Sequence, residues 1–128
     1  MKKTRIVMML MLFTFINKFA FSQQATWKEM EDFHAVMSVT FHPAEDNNLQ
    51  PVKEKAGDLL RKAMDWQQAA VPQGYHGEAT KPILKKLVKQ CKALKAAVEK
   101  KKPDAELKKM ITEAHEVFHE IKEKCVEK

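Results

Sequence analysis

Apolar residues recur every three or four positions in four separate stretches of this chain, and prolines or turn formers separate the stretches. That spacing is the signature of a helix with one buried face. The first stretch runs from about Thr26 to His42, with Met30, Phe33, Met37 and Phe41 on one face and His34 beside them. Thr26 and Glu29 have the spacing of a capping box at its start, and Pro43 is expected to close it. Ala44 to Gln50 reads as a loop. Pro51 suits the first turn of a second helix, whose stripe is Val52, Ala56, Leu59, Leu60, Ala63 and Met64, ending near Val71–Pro72. Gln73 to Glu78 is a second loop. Thr80 is the expected N-cap of a third helix, with Pro82 in its early turns and a stripe of Ile83, Leu84, Leu87, Cys91, Leu94 and Val98. A tight connection at Lys100–Pro103 leads to a fourth, where Asp104 suits the positive end of the helix dipole. Its stripe is Leu107, Ile111, Ala114, Phe118, Ile121 and Cys125. No strand alternation is present, Gly is scarce (3 residues), and the joins are short. The expected fold is therefore all-α, an antiparallel up-down-up-down four-helix bundle.

Residues 1–22 have a different character. Lys2, Lys3 and Arg5 precede an apolar run from Ile6 to Ile16, and Ala20 and Ser22 are small residues ahead of a cut before Gln23. This is the layout of a cleaved secretory signal, and the run is about half the length a membrane span needs. No Cys follows the cut, so no lipid anchor is expected. The remaining residues, 23–128, form one domain destined for the periplasm or the exterior. Of the 23 basic residues, Lys2, Lys3, Arg5 and Lys18 go with the signal, leaving 19 against 17 acidic residues, a formal +2. So small an excess argues against a nucleic-acid partner, as does export. No stable membrane anchor is expected after cleavage.

Chemistry concentrates in the histidines. His115-Glu116-Val117-Phe118-His119 matches H-E-x-x-H, and two imidazoles one helical turn apart can chelate one ion. A protease is not expected: too little chain follows His119 for the usual third ligand, and no strand is available to hold a peptide. Metal chelation needs only the helix. In an up-down bundle with a rise of about 1.5 Å per residue, Met30 and His34 fall near the level of His115 and His119, with Met64 and Cys91 at a similar height. His34, His115 and His119 are thus the expected metal ligands, for zinc or copper. Met37 and Met64 are expected as core filler. His42 is expected to cap the carbonyls of the first helix, although ligation with Glu45 is an alternative, and His76 sits between glycines in a loop.

Val52-Lys53 opening the second helix, the loop from Pro72 to Tyr75, and Val117-Phe118-His119 near the end of the fourth resemble the cytochrome b-562 family of exported four-helix bundles. The resemblance spans most of residues 23–128 at the level of pattern. It implies haem b bound between a Met on the first helix and a His on the last, which here are Met30 and His119. His34 and His115 depart from that pattern, since a haem site does not need them, and no C-x-x-C-H motif supports covalent haem.

The leading expectation is a non-enzymatic protein that binds a transition-metal ion for storage, sensing or delivery, with room for a periplasmic protein partner whose identity the sequence does not give. The alternative is a b-type haem protein for electron transfer, and a third class is a bundle with no ligand. Cys91 and Cys125 are not expected to pair. They lie 11–12 residues before and 22–23 after the turn between the last two helices, a mismatch of about 17 Å along the axis, whereas a disulfide spans Cα atoms about 4.4–6.8 Å apart. Cys91 is expected in the core or as a soft accessory ligand. Cys125 is expected to frame the end of the bundle or to pair between molecules.

Overall fold

The computed structural model describes residues 26–127; the expected signal segment lies outside the described residues. Four helices follow one another: α1 (Lys28–Glu45), α2 (Gln50–Gln68), α3 (Gly77–Glu99) and α4 (Asp104–Lys124). Each packs on the next, and α1 also packs on α4, which closes the bundle. The expected stripes form the core: Phe33, Met37, Leu59, Leu87, Leu94, Ile111 and Ile121 are 0% exposed. Met64 departs from expectation at 37% exposure. It follows Ala63, which is fully buried, and one residue along a helix turns the side chain by about 100°, away from the core.

Helix ends differ from the expected ones for identifiable reasons. Trp27, not Thr26, is the N-cap of α1, without a side-chain hydrogen bond. The Trp27 indole is buried, 5.7 Å from Trp66 and 5.1 Å from Tyr75. Burying that ring fixes where α1 begins, and the capping box does not form. Nor does Pro43 end α1, which continues through it to Glu45. A proline this close to a C-terminus removes only one intrahelical bond. The stop comes at Asn47, whose φ is 63°. There the Asn48 N–H donates to Pro43 O (2.9 Å) and the Asn47 N–H to Ala44 O (3.0 Å), a Schellman motif. Lys101 (φ 53°) repeats the device after α3, with Lys102 N–H donating to Ala97 O and Lys101 N–H to Val98 O, each at 3.0 Å. α2 stops at Gln68, short of Val71–Pro72, because Ala69 is extended. α3 starts at Gly77, ahead of Thr80, whose hydroxyl donates to the His76 carbonyl at 2.7 Å instead of capping.

The end of α4 is tied down. Tyr75 and Val126 form an antiparallel bridge. The His76 N–H donates to Cys125 O, and the Glu127 N–H to Gly74 O, both at 2.8 Å. Cys125 is thereby 0% exposed, which rules out the expected pairing between molecules in the folded state. Cys91 is equally buried, and burial pushes its thiol up to about 12. Both cysteines are unbridged. Among the described residues no helix is long and apolar enough to cross a membrane.

Candidate metal centre

The histidines gather on the seam between α1 and α4. Contacts along it climb α1 as they descend α4. Phe118 faces His34, His115 faces Phe41, and Lys108 Nζ donates to the Glu45 carbonyl at 3.1 Å. The two helices therefore run in opposite directions here.

His115 and His119 are one turn apart on α4, and their Nε2 atoms are 3.1 Å from each other. The His115 ring lies flat on Phe41, with centroids 3.7 Å apart and planes 11° from parallel, so it cannot swing freely. Two imidazole nitrogens at this separation either share one proton or converge on a cation. At metal–nitrogen distances of about 2.0–2.1 Å, a 3.1 Å spacing subtends about 95–100° at the ion, between square and tetrahedral angles. Burial, then the neighbouring His119, lowers the His115 pKa from its ordinary value, and His42 and His34 act in the same direction against Glu45. A depressed pKa keeps the imidazole neutral near pH 7, the form that binds metals.

The other expected ligands are placed differently. The half-buried His34 ring stacks on the face of Phe118, at 5.0 Å and 7°. Among the described residues no three or more His, Cys, Asp or Glu stand close enough together to hold a metal. The site as it stands is a two-imidazole chelate, with His34 beside it. Cys91 and Met64 also lie apart from it, one sealed in the core and the other facing outward from α2. Glu116 is exposed, about 100° around the helix from His115.

His42 does not cap α1. The α1 carbonyls are taken by the N–H groups of Asp46, Asn47 and Asn48 and by Lys108. The His42 Nδ1 instead lies 3.0 Å from Glu45 Oε2. This is a contact between exposed side chains one helical turn apart, at i and i+3. His76 meets Glu127 at 3.7 Å at the other end of the bundle.

Met30 and His119 line one cleft of about 420 Å³, together with Glu31, Tyr75, Lys122 and Glu123. Met30 is buried, and the Tyr75 hydroxyl points at its sulfur from 3.9 Å. Tyr75 has its own pKa raised by burial and by Glu31. The interior beside the cleft is filled by Trp27, Trp66, Phe33 and Phe118, with ring centroids 5.6–6.1 Å apart. Tyr75 carries no site signal in the sequence, because long-range contacts, with Trp27 and with the strap after α4, bring its loop to Met30. No family model, curated protein or solved structure matches the chain.

Proposed function

We propose that this chain, exported and freed of its signal, binds one transition-metal ion, zinc or copper, through His115 and His119, and stores, senses or delivers it outside the cytoplasm. The observation that carries the reading is the 3.1 Å separation of the two Nε2 atoms. Their spacing on one helix, the stacking of His115 on Phe41 and the lowered His115 pKa all support it.

Calorimetric titration of the mature protein with Zn2+ and Cu2+ tests this. About one equivalent is expected to bind, and the double substitution His115→Ala/His119→Ala should remove most of the affinity. Unchanged binding in that variant would refute the assignment.

The cleft shared by Met30 and His119 favours a second reading, a b-type haem held between the two. A haem needs both faces of its iron reached from opposite sides, and the ring must enter where Trp27, Trp66, Phe33 and Phe118 already pack. The metal-ion reading requires no such rearrangement. A Soret band on haem titration that is lost in both Met30→Ala and His119→Ala would reverse that preference. Silence towards haem and towards both ions would leave a bundle without a ligand.

A further inference from the structure

We infer that the outward face of α3 is a docking surface for an anionic lipid bilayer, to which the bundle adheres reversibly through lysine ammonium groups. The inference is independent of the metal-ion reading. α3 carries six lysines and two glutamates, a formal +4, against +2 for the whole of residues 23–128. The glutamates, Glu78 and Glu99, stand at its two ends, and no acidic residue lies between them. Lys81, Lys85, Lys86, Lys89, Lys92 and Lys95 are all exposed. At 100° and 1.5 Å per residue, the first five fall within about 140° of arc and about 17 Å of axis. The other exposed residues between Lys81 and Lys95 are Pro82 and Ala93, both short, so the ammonium groups stand outermost.

Elsewhere the bundle sets its cations against acids. Lys28 meets Asp32, Lys53 meets Asp104, Arg61 meets Asp58 and Lys109 meets Glu113. On α3 Lys81 and Lys95 have such partners, the terminal Glu78 and Glu99. Among the described residues Lys85, Lys86, Lys89 and Lys92 make no ion pair. Like charges at i, i+3 and i, i+4 repel, and α3 carries that repulsion at Lys81 with Lys85, Lys85 with Lys89 and Lys89 with Lys92. A negatively charged surface relieves it.

Charge on the other helices sets the orientation. α1 and α3 each pack on α2 and α4, so they lie diagonally across the bundle. α1 carries four acidic residues against one lysine, a formal −3 with its histidines neutral. The bundle is thus a charge dipole. An anionic surface draws α3 in and repels α1, which leaves the seam of His115 and His119 on the solvent side. A lysine ammonium is a compact charge on a flexible stem, suited to a diffuse field, whereas paired recognition of single carboxylates or phosphates favours the arginine fork. α3 has no arginine, and no aromatic residue to stack on bases or to anchor a protein interface. Adhesion is by charge alone, since among the described residues no helix is long and apolar enough to cross a membrane.

The test is co-sedimentation of the mature chain with vesicles of equal parts phosphatidylglycerol and phosphatidylcholine, or of phosphatidylcholine alone. Binding is expected to the anionic vesicles only, and should be lost as NaCl rises from about 0.05 M to about 0.5 M. A lysine near such a surface contributes about fivefold to binding, so Lys85→Gln/Lys89→Gln should weaken it by about 25-fold. Lys28→Gln/Lys62→Gln removes the same net charge on the α1 side, where Lys62 acts on Asp32. Charges further from the surface than the Debye length are screened, so that variant should lose no more than about threefold. All four side chains lie outside the core, and far-ultraviolet circular dichroism confirms the helices of each variant. No binding to anionic vesicles, equal binding to neutral ones, or equal losses in the two variants overturns the inference. So does self-association that Lys85→Gln/Lys89→Gln abolishes in the absence of vesicle binding, which would assign the face to the acidic α1 of a second copy.

Discussion

Phe118 joins the core to the candidate site, and its removal should be felt in both. The ring is 1% exposed. It contacts Phe33 at 5.8 Å and Trp66 at 6.1 Å on the core side, and His34 at 5.0 Å and His119 at 5.5 Å on the seam side. A buried Phe→Ala change costs about 3–5 kcal/mol in lost transfer free energy and residual cavity. Aromatic pairs add about 0.5–1.5 kcal/mol each beyond area burial, and Phe118 makes two with carbocyclic or indole rings, so the upper half of the range is expected. A domain of this size has about 5–15 kcal/mol in all. With a urea m-value of about 1–2 kcal/mol/M, Phe118→Ala should lower the unfolding midpoint by about 2–5 M. Phe118→Leu should recover more than half of the loss. Tryptophan fluorescence reports the transition directly through Trp66. A loss of less than about 1 kcal/mol in the Ala variant would refute the packing described for this seam.

Three further outcomes follow from the same geometry. His115 has a pKa below its ordinary value of 6.5, so the unfolded chain binds more protons as pH falls below that value. Its contribution to metal-free stability is complete above about pH 6.5 and is lost on acidification through the interval below; melting temperature against pH should fall less steeply in His115→Gln than in the parent. Native protein should react with a thiol reagent at neither Cys91 nor Cys125, and the denatured, unreduced monomer should show both as free thiols; a reactive native thiol would contradict their burial. Lys101→Gly should stabilise the fold by about 0.5–1 kcal/mol, because glycine relieves the left-handed strain at φ 53° at a cost in unfolded-state entropy; no gain in thermal unfolding would argue against that turn.

The stripes were legible in the sequence because burial at helical spacing is a local, repeated signal, and Phe33, Leu59, Leu87 and Ile111 each carry part of it. The ends were less so. Thr26 has the chemistry of a cap, but two tryptophans distant in sequence decide where α1 begins. Pro43 has the chemistry of a stop, but the chain turns only where Asn47 takes a left-handed conformation. At the site, the i, i+4 spacing of His115 and His119 on one helix is enough to bring the two rings together. Counting residues along the helices also sets His34 near the height of the pair, but not what its ring meets: it lies on Phe118, a contact that height alone does not give.

The strap that ties Val126 to Tyr75 makes α4 a beam held at both supports, since the other end is fixed by the 2.8 Å ion pair between Lys53 and Asp104 and by the contacts of Lys108. Ordinarily the final turn of a helix opens and closes at almost no free-energy cost, far more readily than the rest of the molecule. Here the turn beyond His119 is pinned by the bridge and by the burial of Ile121 and Cys125, so its amides should exchange with solvent more slowly than those of a free helix end. An ion held at His115 and His119 would not gain or lose its partners by fraying of the helix that carries them. Release of such an ion would require breaking its bonds to the imidazoles on an intact helix, not the opening of the helix end.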